Sequence, residues 1–148
     1  RSASPPPACC GQEALRRALG SEWLIRIQMP VALDDESEPE PDVAIVPWGP
    51  RDYLPDHPAR PVLVVEVAET SLVLDREHKG SLYARAGLAD YWILNLVDSV
   101  LEVYRQPAPS SEAPFGWAYS EVQSLGDTDL VSPLAAPEAR IPVAALLP

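Results

Sequence analysis

The sequence predicts an α/β domain with a central mixed β-sheet flanked by helices. Three observations carry this. Residues 62–67, VLVVEV, are apolar on both faces, as a strand buried between two layers must be. A helical pattern follows over 75–86 and stops at Gly87. Residues 90–95, DYWILN, and 100–105, VLEVYR, then flank a tight turn at Val97, Asp98 and Ser99, and read as a β-hairpin.

A chain of 148 residues fits one domain, and at this size roughly 68–70% of the unfolded surface is buried on folding. No apolar run approaches the roughly 20 residues that span a bilayer, so no membrane partner is expected. The first ten residues, RSASPPPACC, lack the apolar stretch of a secretory signal. Cys9 and Cys10 are adjacent, a spacing too strained for an easy disulfide, and no Cys/His metal pattern exists. The expected compartment is therefore a reducing cytoplasm. The eighteen prolines cluster in segments that read as loops and ends.

In order, residues 1–10 read as a flexible N-terminal arm and 11–148 as a single domain. Residues 11–19 form a short helix with Ala14, Leu15, Ala18 and Leu19 on one side. Residues 22–29, EWLIRIQM, alternate as a half-buried strand. The acidic run 34–40 reads as a solvated loop. Asp42 differs, because Val43, Ala44, Ile45 and Val46 follow it at once; it opens a buried strand, where an unpaired carboxylate is costly. Residues 47–60 are a breaker-rich loop with a solvated His57. Arg85 and Arg105 read as ordinary surface arginines, 107–114 as a Pro/Ser loop, and 116–123 as a last long strand. Residues 124–134 form a turn with one more short strand, and the end, IPVAALLP, is a short apolar segment packed on the body.

The chemistry concentrates around Glu66. It sits mid-strand in an apolar run, where a carboxylate must either pair with a base or bind a metal. One short turn later, Asp75, Lys79 and Tyr83 recur at helical spacing on one face. Gly80, in mid-helix, costs roughly 1 kcal/mol. Two carboxylates on adjacent strands, Asp42 and Glu66, make a hard oxygen site suited to Mg²⁺ or Mn²⁺. A cation there and a lysine to position water are what phosphodiester hydrolysis needs.

PDVAIVP and then VLVVEVAETSLVLDREHKGSLYARAGLADYWILNLVDSVLEVYR resemble the Uma-two family of the PD-(D/E)xK restriction-endonuclease-like superfamily. The likeness covers residues 23–105 and is strongest over 61–105. It implies a restriction-endonuclease-like fold and a Mg²⁺-dependent endonuclease acting on DNA as a homodimer. It aligns Asp42 with the family's first acid, Glu66 with its second and Lys79 with its helical lysine; Asp42 and Glu66 would bind metal, with Asp75 and Tyr83 in support. Two departures stand out. The superfamily's usual ExK lysine would fall at position 68, which is Ala68. The upstream acidic turn and strand common in the family are not found, so the expectation is of a domain lacking an N-terminal segment. A net charge of −11 opposes non-specific nucleic-acid binding. It favours a second reading, a catalytically inactive nuclease-fold scaffold or interaction domain. A third is a hydrolase of some other phosphate ester.

Overall fold

The computed structural model describes residues 14–19, 23–27, 42–47 and 61–147. The arm at 1–10, the acidic run at 34–40 and His57 lie outside the described residues. Among the described residues, six strands form one mixed sheet in sequence order: β1 (Trp23–Ile27), β2 (Val43–Pro47), β3 (Leu63–Ala68), β4 (Asp90–Asn95), β5 (Val100–Pro109) and β6 (Trp117–Leu125). Only β3 and β4 pair in parallel; every other neighbouring pair is antiparallel. A parallel pair needs a crossover, and a helix supplies it. That helix begins at residue 72, is π-wound over Leu74–Lys79, and continues as α2 (Gly80–Arg85).

Two layers cover the sheet. On one face Val43, Ile45, Leu63, Val65, Trp92, Leu94, Leu101 and Val103 are buried. They meet Leu15 of α1 (residues 14–19) and a C-terminal unit made of β7 (Leu130–Val131), β8 (Ile141–Pro142) and α3 (Val143–Leu146). The predicted apolar side of α1, Ala14, Leu15, Ala18 and Leu19, is the side that packs. On the other face Ala44, Val64, Ala68, Tyr91, Ile93 and Tyr104 meet Tyr83, Leu82 and Ala86 of the crossover helix. Each large side chain fully buried here contributes about 1.5–3 kcal/mol.

The differences from the sequence reading have physical causes. The helix starts three residues before 75, because the Ser71 carbonyl already accepts the Asp75 N–H at 2.9 Å. Strand β5 runs into the predicted Pro/Ser loop. Its pairing with β4 ends at Arg105, so Pro107 and Pro109 lie where β5 is bonded on one side only, and a missing N–H costs nothing. Arg105 is not a surface arginine. Its guanidinium lies 3.0 Å from buried Asp90 and donates to the Ser132 carbonyl at 2.7 Å, which ties the C-terminal segment to the sheet. Among the described residues, no helix is long and apolar enough to cross a membrane.

Gly80 does not owe its place to crowding. A β-carbon there would meet the Asp75 carbonyl oxygen at 3.6 Å and Tyr91 Cε2 at 3.8 Å, ordinary contact distances. Its backbone is plain right-handed helix. Gly80→Ala is therefore expected to stabilise the protein by up to about 1 kcal/mol, a rise of about 2–4 °C in Tm at this size. A fall in Tm would mean that the π-wound turn needs the glycine.

Candidate active site

Glu66 points from β3 into the face covered by the crossover helix and is 2% exposed. The turn after β3 is short, so the helix returns directly over it. Lys79 Nζ comes to 3.4 Å from Glu66 Oε2 and 3.3 Å from Asp75 Oδ1. Lys79 is the chain's single lysine. The Tyr83 hydroxyl, one turn further on, donates to Glu66 Oε2 at 3.1 Å.

Asp42 enters from the start of β2, and the two acids are joined through the backbone. The Asp42 N–H donates to Glu66 Oε1 at 3.2 Å, and Asp42 Oδ2 accepts the Val67 N–H at 2.7 Å. The sheet register does this: Val43 lies opposite Val65, so the residue before β2 reaches the far end of β3. The structure thus gathers Asp42, Glu66, Asp75, Lys79 and Tyr83 into one cluster. Ala68 shares the face of Glu66 and is wholly buried. A lysine at that position would have to run through the tyrosines; Lys79 reaches the same carboxylate from above.

Asp75, the first residue of the predicted helix, is 1% exposed. Ser71 Oγ–H donates to its Oδ2 at 2.9 Å. Its Oδ1 has no hydrogen-bond donor among the described residues and meets only the Lys79 ammonium as an ion pair. Its backbone carbonyl accepts both the Gly80 N–H, as a π-turn requires, and the Tyr91 hydroxyl at 2.8 Å.

Burial pushes the Glu66 carboxyl up to about 7; Asp42 and Asp75 add to this, and Lys79 offsets only part of it. Burial alone would lower Lys79, but the charges of Glu66 and Asp75 outweigh it and hold the ammonium above its ordinary value. Burial, then Glu66, drives the Tyr83 phenol upward, so it remains a donor.

Sequence reasoning missed a second group on the same face. Glu102 of β5 is buried and bound by Arg76: Nε lies 2.9 Å from Oε1, and the terminal nitrogen Nη2 contacts Oε2. The Tyr104 hydroxyl and Asn95 Nδ2 also donate to it, at 2.6 and 2.9 Å. The signal was present in LEV, an apolar–Glu–Val triplet like the VEV around Glu66.

The oxygen-only donor set of Asp42 and Glu66 suits a hard divalent cation. Among the described residues no three His, Cys, Asp or Glu side chains converge on one metal position. Mg²⁺ does not require three, since it commonly binds through one or two carboxylates and keeps several waters. Burial first, and then the charges of Asp42 and Asp75, raise Glu66, and a cation there would offset both.

The charge on Glu66 has a stability consequence. Its folded value, about 7, exceeds its ordinary value of 4.5. The native state therefore holds that proton more tightly than the unfolded chain does. The resulting stability is fully present below about pH 4.5 and is lost as pH rises through about 7, a change on the order of 3 kcal/mol. In denaturant melts with a chelator, wild type should lose that much more stability between pH 4.5 and 8 than Glu66→Gln. Parallel pH profiles would remove Glu66 as the cause.

A family model, Uma2, described as "Putative restriction endonuclease", matches residues 10–144. No curated protein matches. Among solved structures, a crystal structure described as a putative nuclease belonging to DUF820 from Anabaena variabilis ATCC 29413 superposes with a TM-score of 0.65 at 13% identity. The match covers 99% of this chain and 83% of that one. At this identity the likeness shows the fold, which is restriction-endonuclease-like.

Proposed function

The chain belongs to the Uma2 family, whose model spans nearly its whole length, and from that premise we propose that it is a metal-dependent endonuclease acting on DNA. The observation that carries the reading is the convergence of Lys79, the chain's single lysine, on Glu66 at 3.4 Å, with Asp42 hydrogen-bonded to the same carboxylate. That the family is one of restriction endonucleases by description, and the structural neighbour a nuclease by description, supports phosphodiester hydrolysis.

On this reading Asp42 and Glu66 hold a Mg²⁺ or Mn²⁺ ion. When bound, the ion lowers the pKa of water and neutralises charge on the phosphate. The Lys79 ammonium, charged at every physiological pH, orients the attacking water or steadies the charge that develops on phosphate oxygens. Asp75 aims Lys79 through the ion pair at 3.3 Å. Tyr83 holds Glu66 Oε2 and leaves the acid's other oxygen toward Asp42. Burial of Glu66 keeps water from competing for these contacts. Two such sites, one in each subunit of a homodimer, would serve both strands of a duplex.

The net charge of −11 favours the alternative of an inactive scaffold, and metal binding separates the two. Calorimetry should give micromolar Mn²⁺ affinity in wild type and in Lys79→Met, and none in Asp42→Ala. Cleavage of plasmid DNA should fall at least about 100-fold in both variants. Absence of Mn²⁺ binding to wild type would establish the scaffold reading. Binding without DNA cleavage, followed by turnover of another phosphate ester, would move the substrate class. Since removing a cation from Glu66 restores its proton, Mn²⁺ should raise Tm more at pH 8 than at pH 5.5.

A further inference from the structure

Glu66 lies opposite Ile93 across the parallel β3–β4 pair, and Ile93 lies opposite Glu102 across the β4–β5 pair. The two buried glutamates therefore stand in one row on one face of the sheet, with a single strand between them. Strand spacing separates their backbones by roughly 10 Å. Each binds a cation from the same π-wound segment: Glu66 binds Lys79, and Glu102 binds Arg76, three residues earlier.

The two pairs are unlike. Glu102 is held by two guanidinium nitrogens, a tyrosine hydroxyl and an amide. Despite its burial, those bonds keep its carboxyl below the ordinary range, so it stays charged. Bidentate pairing of this kind fixes direction as well as distance. Asn95 is itself fixed, since its Oδ1 accepts the Val97 and Asp98 N–H groups at 3.0 Å each. The Arg76 side chain is 41% exposed and packs little, so bulk burial does not explain the arrangement. Lys79, by contrast, meets its two carboxylates at 3.3 and 3.4 Å through one nitrogen on a flexible stem. The buried Tyr83 and the Tyr91 hydroxyl at the Asp75 carbonyl hold the helix on the sheet, and a directed contact one turn from Lys79, on β5, adds a constraint on the roll of the π-wound turn.

We propose that Arg76 and Glu102 form a positioning pair: anchored to Asn95 and Tyr104, the pair sets the rotation of the π-wound turn and thereby aims Lys79 at Glu66. Neither residue touches the reacting atoms. For its effect on rate, the inference rests on the endonuclease reading; for the placement of Lys79 it does not.

The single lysine makes the placement measurable. Reductive methylation with ¹³C-formaldehyde labels the Lys79 amine and the α-amino group and retains the positive charge. In wild type the Lys79 methyl resonance should stand apart from that of a solvated dimethyl-lysine. In Arg76→Ala and in Glu102→Gln it should move toward the solvated position, while amide dispersion from the sheet is retained. Glu102→Asp, which keeps the charge and the single lysine but shortens the reach to the fork, should fall between. With DNA as substrate, Arg76→Ala should lower kcat about 10- to 100-fold with KM within about twofold, the pattern of a misplaced catalytic group. An unmoved resonance in both variants would overturn the proposal. So would collapse of the sheet's amide dispersion in both, since the pair would then hold the fold as a whole. If wild type cleaves nothing, the endonuclease reading fails by itself and the resonance still decides the role of the pair.

Discussion

The structure depends on one unfavourable placement, a carboxylate in the middle of a buried strand. Desolvating an ionised acid costs several kcal/mol even after relaxation, and the surroundings of Glu66 answer that cost piece by piece. The Asp42 N–H meets one oxygen, and the Tyr83 hydroxyl and Lys79 ammonium meet the other. These groups come from the start of β2 and from two turns of the crossover helix. Satisfying Glu66 therefore fixes β2 against β3 and brings the helix down over the sheet. In return, Asp42 accepts the backbone N–H of Val67, the residue after Glu66. The cluster is a structural junction as well as a candidate site, so the loss of one member strains more than one element.

The compensation is incomplete. Lys79 is shared between Glu66 and Asp75, and Asp75 Oδ1 has no hydrogen-bond donor among the described residues. A core selected for stability alone would have an apolar residue at 66 or a full complement of donors. Glu102, one row-mate away, shows that the fold can provide such donors: it has four directed bonds and keeps a depressed pKa. Two glutamates on one face of one sheet are thus pushed in opposite directions. On the endonuclease reading, Glu66 would be the functional carboxylate and Glu102 the structural one.

The parts of the site that were legible in the sequence were those with strong local contrast. Glu66 stood out inside VLVVEV, Asp42 before VAIV, and Lys79 four residues after Asp75. What sequence could not give was anything set by tertiary choice. The π winding spans only Leu74–Lys79, too short a stretch for hydrophobic periodicity to distinguish it from an α-helix. The Tyr91 hydroxyl at the Asp75 carbonyl comes from the next strand. Glu102 drew no reading because the hairpin strand alone does not say which of its faces is covered; the helix above buries the face that carries it. Arg105 was misjudged for the same reason, since its partner Asp90 and the Ser132 carbonyl are brought to it by the fold.

The balance of charge on the site face bears on how a phosphodiester could be accommodated. Lys79 is matched by Glu66 and Asp75, and Arg76 by Glu102, so these two cations leave the cluster no positive excess. The chain as a whole carries −11. A polyanion would be repelled from such a surface by a field that salt screens over about 8 Å under physiological conditions. On the endonuclease reading, a divalent ion at Asp42 and Glu66 would therefore have two tasks. Besides the chemistry it would supply to water, its charge would cancel the cluster's excess of negative charge and leave Lys79 less engaged by Glu66. The ammonium would then be freer to engage phosphate while Asp75 and the Arg76–Glu102 pair keep it in place. Substrate binding and metal binding would be strongly coupled in such a site, because the ion that Asp42 and Glu66 would hold is also the charge that would let Lys79 engage a phosphate.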